Sequence, residues 1–138
     1  MKLFSLIRQK LYKRRLKKAG VSFPLYCKAH GVKQAERQGA IVQSKAGDRL
    51  QFVHVPLKAY PHNVYVYNVE LNRVLGYTHK NLAEKLVYVF GKGFCRDGVI
   101  VEVTGGGEYK YYGCNLQIFE TMSAMKDMQS DIVHLKGN

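Results

Sequence analysis

The stretch that decides the fold runs from residue 49 to residue 77. It opens Arg49-Leu-Gln-Phe-Val-His-Val55, resumes as Asn63-Val-Tyr-Val-Tyr-Asn-Val69, and closes Arg73-Val-Leu-Gly-Tyr77. In the first segment Leu50, Phe52 and His54 alternate with Gln51, Val53 and Val55, and in the second valine alternates with tyrosine. A period of two is the signature of β-strands, and apolar residues on both faces mark strands covered on both sides, as in the wall of a small barrel. Pro56, Pro61 and Asn72 punctuate the segments with turn chemistry, so three successive short strands are expected.

Outward from this core, Gly98–Thr104 and Tyr112–Phe119 read as two further strands, joined by the glycine-rich connection Thr104-Gly-Gly-Gly-Glu108, and Ala40–Ser44 as another. Between them the period changes. Leu82, Ala83, Leu86, Val89 and Phe90 form an apolar helical stripe, with Thr78 as the expected N-cap and Gly91 as the expected C-cap. Six short strands need their edges hidden. The expected fold class is therefore α+β, mostly β: a small six-stranded OB-like or SH3-like β-barrel with one principal helix.

The N-terminus has a different composition. Leu3, Phe4, Leu6, Ile7, Leu11 and Leu16 recur near helical spacing among lysines and arginines, and Gly20 supplies a stop, which predicts a basic helix. Pro24, Gly31 and Gly39 interrupt any period thereafter. The expected organisation is a basic helix and linker over residues 1–37, the barrel over 38–120, and a tail or short helix over 121–138.

Charge follows this division. The 138 residues carry a net +12, of which residues 1–37 contribute +10 and the rest +2. A nearly neutral domain with a cationic arm is suited to a polyanion, either nucleic acid or an anionic membrane. The hydrophobic share of 46% argues against global disorder. The longest uncharged runs, such as Ala59–Val69, are far too short to span a bilayer, and Arg8 and Lys10 interrupt any signal-peptide core. With an odd count of three cysteines, a reduced cytoplasmic setting is expected.

Catalytic motifs are missing from the sequence: there is no phosphate loop, nucleophile elbow or His-Glu-x-x-His, and Gly91-Lys-Gly93 follows a helix rather than a strand. A non-enzymatic protein without cofactor is expected. Cys27-Lys-Ala-His30 has the spacing of half a zinc site that Cys95 and Cys114 could complete, but three inert thiols are the simpler reading. The ten tyrosines offer flat faces for base stacking. Tyr65 and Tyr67 alternate within a strand and read as wall residues. Tyr60 and Tyr77 lie at strand boundaries, and Gly76 would let a ligand approach the backbone.

Leu50-Gln-Phe-Val-His-Val-Pro56, Tyr60, Asn63-Val-Tyr-Val-Tyr67, Asn72-Arg-Val-Leu-Gly-Tyr77 and Leu82-Ala83 together resemble the HIRAN domain family in order and spacing over about forty residues. These small barrels stand at the N-terminus of fork-remodelling translocases or as free-standing bacterial and phage proteins. The resemblance implies single-stranded DNA binding, with a free 3′ hydroxyl end held in a pocket on the barrel. By position it implies that Tyr60 stacks on a terminal base, that Tyr77 makes a polar aromatic contact, and that Lys80 faces a phosphate, with Asn63 and His79 beside them. The family's acid after the tyrosine is Pro61 here, and its Arg-Tyr-Tyr-like first strand is replaced near Gln43-Ser-Lys45. General strand binding is therefore implied more strongly than 3′-end selectivity.

The candidate nucleic-acid contacts are thus Tyr60, Asn63, Tyr77, His79, Lys80 and Lys45, with Lys13, Arg14, Arg15, Lys17 and Lys18 of the arm. DNA is favoured over RNA, with a helicase or translocase as a partner that the resemblance suggests. A membrane is not expected as a partner; the competing reading takes the basic N-terminal helix as an anchor on a membrane or in an assembly.

Overall fold

The alternation over residues 49–77 becomes an antiparallel meander. The computed structural model describes residues 2–108 and 110–122. In chain order these form α1 (Lys2–Ala19), β1 (Leu25–Lys28), α2 (Ala35–Gln43), β2 (Arg49–His54), β3 (Val64–Asn68), β4 (Arg73–Tyr77), α3 (Lys80–Phe90), β5 (Cys95–Thr104) and β6 (Gly113–Met122). The strands make one sheet in the order β1-β6-β5-β2-β3-β4, every neighbour antiparallel. The sheet curls into a half-barrel, giving an α+β architecture with three helices among the described residues. The tail expected over 121–138 begins as the end of β6, and from residue 123 it lies outside the described residues.

Parity divides the side chains as the sequence requires. Leu50 and Phe52 of β2, with Val64 and Val66 of β3, enter the main core against Ala40 and Ile41 of α2 and Ala83 and Leu86 of α3. Val53, Tyr65 and Tyr67 point to the opposite face and gather with Val55 and Cys95. Both tyrosines are buried wall residues.

The two edges of the sheet meet at one point. His30, just past β1, and Tyr77, the last residue of β4, exchange backbone hydrogen bonds of 2.8 and 3.0 Å. Gly76 makes this possible, because a Cβ there would overlap the His30 carbonyl oxygen. The close approach that Gly76 permits is therefore filled by the protein's own backbone rather than by a ligand. The edges touch through this bridge and not through a full ladder, so the sheet is a curled half-barrel.

Three other expectations are corrected. Part of the stretch read as linker is structured: Leu25 and Cys27 turn inward and Tyr26 and Lys28 outward as β1 pairs with β6. Ala40–Ser44, read as a strand, belongs mainly to α2; a period of two would bury Val42 with Ala40, whereas Val42 is exposed and the adjacent Ala40 and Ile41 are buried. The cap of α3 is His79, whose Nδ1 accepts the Asn81 N–H at 3.1 Å, because Thr78 is still tied to the sheet through Val64 O.

The basic helix forms as expected, and Gly20, at φ 70°, stops it. It docks through Tyr12, which stacks on Phe90 at 6.3 Å and donates its hydroxyl to Glu120 at 2.8 Å. Burial and that carboxylate push the Tyr12 hydroxyl above the ordinary tyrosine range.

Two glycines separate space from conformation. Gly76→Ala should destabilise the fold by about 1–3 kcal/mol through overpacking at the bridge. Gly39→Ala, on an exposed helical position with nothing near its Cβ, should stabilise it by about 0.5–1 kcal/mol. Urea denaturation of both variants checks the contrast.

Candidate functional site

A cleft of about 720 Å³ opens where the β2–β3 loop, the end of β4, the start of α3 and the segment from His30 to Arg37 converge. Its loop wall is held by backbone and side chain together. Leu57 and Tyr60 exchange backbone hydrogen bonds of 3.1 Å, and Asn63 N–H donates to Tyr60 O at 3.0 Å. Buried His54 pins the loop from beneath: its Nδ1 accepts the Gly93 N–H at 2.8 Å, which leaves the proton on Nε2 to donate to Pro61 O at 2.8 Å. The Tyr60 ring, 62% exposed, is therefore carried on a constrained loop.

Tyr77 lines the opposite wall and is 38% exposed. Arg37 lies over its ring at 5.7 Å and donates through Nη1 to Gly31 O at 2.7 Å, so the guanidinium is fixed where it borders the cleft. His30 and His79 meet edge to face at 5.2 Å. Partial burial, then His79 and Lys28, hold the His30 pKa below its ordinary value, favouring a neutral imidazole near neutral pH.

Arg37 and Lys80 bring positive charge, three histidines bring hydrogen-bonding capacity, and Glu84 is the single carboxylate among the described lining residues. The first turn of α3 borders the same space, adding the positive end of the helix dipole. Thr78 lines the cleft with a buried Oγ1 that has no hydrogen-bond partner. An exposed aromatic ring and two cations, of which Arg37 is held in place, suit a ligand that is flat in one part and anionic in another.

Tyr60, Asn63, Tyr77, His79 and Lys80, expected from the sequence as one site, all line this cleft. Two of them have prior commitments. Asn63 spends its amide N–H on Val55 O at 3.1 Å, and His79 spends Nδ1 on its cap. Lys45 is not in the cleft: it sits in the turn before β2, at the other end of that strand, where its N–H donates to Asp48 Oδ2 at 3.0 Å. Lys13, Arg14, Arg15, Lys17 and Lys18 are exposed on α1 and do not line the cleft. Tyr12 docks that helix at the C-terminal end of α3, about 16 Å along the helix from the cleft end.

The sequence reading missed Arg37, Gln34, His62 and Glu84, and took His30 only as a metal candidate. Glu84 had a signal, since it follows Lys80 by four residues and so shares its helical face. Arg37 and Gln34 had none once their segment was taken as linker.

Cys27, His30, Cys95 and Cys114 do not form one ligand set. Cys114 belongs to the main core with Cys27 packed against it, whereas Cys95 is in the cluster on the opposite face. Among the described residues no three potential ligands cluster to hold a metal.

Replacing His54 with Ala removes both loop anchors and leaves Pro61 O and Gly93 N–H unpaired, and should cost about 1–3 kcal/mol by denaturant unfolding. Burial pushes the Cys27 thiol up to about 12 and, with Asp48 adding to it, the Cys114 thiol up to about 11. The folded state thus holds these protons more tightly than the unfolded chain. Their contribution is fully present below the ordinary thiol pKa of about 8.5 and is lost as pH rises through the folded values. Iodoacetamide at mildly alkaline pH should label neither cysteine until urea unfolds the chain.

No family model, curated protein or solved structure matches the chain.

Proposed function

We propose that this chain is a non-enzymatic nucleic-acid-binding module that holds single-stranded DNA in the cleft at the start of α3, with the basic residues of α1 adding contacts to phosphate. The observation that carries the reading is the convergence of Tyr60 from one loop, Tyr77 and Lys80 from the β4–α3 junction and Arg37 from α2 in one cleft. Tyr60 supplies a stacking surface, while Lys80, Arg37 and the α3 N-terminus supply positive potential for the backbone.

The resemblance to HIRAN domains supports the same cleft, since the residues it singles out line it, and a six-stranded half-barrel is compatible with a small barrel of that kind. The pairing of strand binding with 3′-end capture is altered here. Pro61 offers no carboxylate to a terminal hydroxyl, and its carbonyl already accepts from His54. A helicase or translocase remains the class of partner that this reading assigns.

The test is fluorescence anisotropy of the full chain with single-stranded DNA, duplex DNA, single-stranded RNA and a 3′-phosphorylated strand over a range of salt. Single-stranded DNA should bind best. Tyr60→Ala should weaken it by about 1–3 kcal/mol, and Lys80→Ala should reduce the salt slope by about 0.7. A 3′ phosphate should change affinity little. Unchanged binding by Tyr60→Ala, or affinity that depends only on α1 charges, overturns the cleft as the site.

A further inference from the structure

The face by which α1 docks, with Tyr12 and Leu16, is not the face on which most of its large apolar residues lie. With a rotation of about 100° per residue, Tyr12, Leu16 and Ala19 share one side of the helix. These are its half-buried positions, in keeping with the docking of Tyr12 on Phe90. Leu3 and Ile7 fall on the opposite side, with Leu11 and Phe4 on one flank and Leu6 on the other, and all five are exposed, Leu3 at 66% and Phe4 at 69%. The apolar first turns are left in solvent.

Charge is arranged in series with this surface. Arg14 and Lys18 continue the row of Leu3, Ile7 and Leu11 toward the C-terminus, and α1 contains no acidic residue. The outward face carries its apolar side chains over the first half, with Lys10 at their edge, and is cationic over its second. A phosphate backbone would use the cations but has no need of an exposed phenylalanine and isoleucine beside them. An anionic bilayer surface uses both, because apolar side chains enter the boundary between headgroups and acyl chains while lysine and arginine meet lipid phosphates. No helix among the described residues is long and apolar enough to cross a membrane, so the contact would be interfacial.

We infer that α1 is a peripheral anchor for anionic lipid surfaces, its Leu3, Phe4, Ile7 and Leu11 face entering the interface and Arg14 and Lys18 contacting lipid phosphates. The anchor is independent of the cleft, which lies at the other end of α3. The chain would thereby hold a ligand in the cleft while resting on a membrane.

The test is cosedimentation of the full chain with vesicles of equal parts phosphatidylglycerol and phosphatidylcholine, and with vesicles of phosphatidylcholine alone. Binding is expected to the anionic vesicles only. The double variant Phe4→Ser/Ile7→Ser should reduce it on the order of tenfold or more, as should Arg14→Glu/Lys18→Glu. Both pairs are exposed, so the melting temperature should match that of the parent, and Phe4→Ser/Ile7→Ser should retain the parent's affinity for single-stranded DNA. Three results overturn the inference. One is no binding of the parent chain to anionic vesicles. Another is parental vesicle binding by Phe4→Ser/Ile7→Ser, which would leave charge alone. The third is that this variant dissociates an oligomer or loses DNA affinity, which would assign the apolar face to a second copy or to nucleic acid.

Discussion

The bridge between His30 and Tyr77 is the constraint on which the cleft depends. A six-stranded sheet coiled far enough to bring its edges together has two rows of unpaired backbone groups facing one another, and this protein joins them at a single residue pair. The junction needs a residue without a side chain at position 76, where a Cβ would meet the His30 carbonyl, and a left-handed turn at Gly31, whose backbone lies against the Tyr77 ring. Once these are met, the segment that follows β1 is carried over the end of β4. Arg37 is then held above Tyr77 by its bond to the Gly31 carbonyl. One wall of the cleft is thus a product of sheet closure.

The other wall is built independently. The loop between β2 and β3 is tied down by His54, whose two ring nitrogens have opposite roles, one accepting from the loop before β5 and the other donating to Pro61. An imidazole with its proton on Nε2 accepts at one ring atom and donates at the other, bridging the two loops without bringing a charge into the core. The result is an exposed Tyr60 on a hydrogen-bonded loop, a support that would lower the entropic cost of stacking a ligand against it.

What the sequence made legible follows from where its signals were periodic. The alternation over residues 49–55 and 63–69 marked two strands buried on both faces because both of their faces carry large apolar side chains, and the stripe from Leu82 to Phe90 marked α3 because a helix against a sheet must repeat its apolar contacts every turn. β1 was invisible for the converse reason. It is four residues long, lies at an edge and has only Leu25 and Cys27 to turn inward. α2 was misread because Ala40, Ile41 and Val42 form a run too short to distinguish a period of two from one of 3.6. That error propagated to the site, since Gln34 and Arg37 reach the cleft only because this segment folds back over the sheet. Tyr60, Tyr77 and Lys80 were found because they lie next to elements whose ends were already legible.

α3 links the two binding surfaces proposed for this chain. Its N-terminal turn borders the cleft with Lys80 and Glu84, and its last residue, Phe90, receives Tyr12 of α1, Phe23 and the guanidinium of Arg96 at 4.1 Å from its ring. The middle of the helix is committed to the core through Ala83, Leu86 and Val87. Such a helix is fixed along its length by packing against a sheet whose edges are joined, so the cleft and the anchor keep a constant separation. Occupancy of one surface has no evident means of distorting the other, and the two should act additively, as distant sites on a rigid support do. Any gain from using both then comes from effective concentration: a chain held at a surface meets a ligand near that surface more often, with no change in the contacts of the cleft.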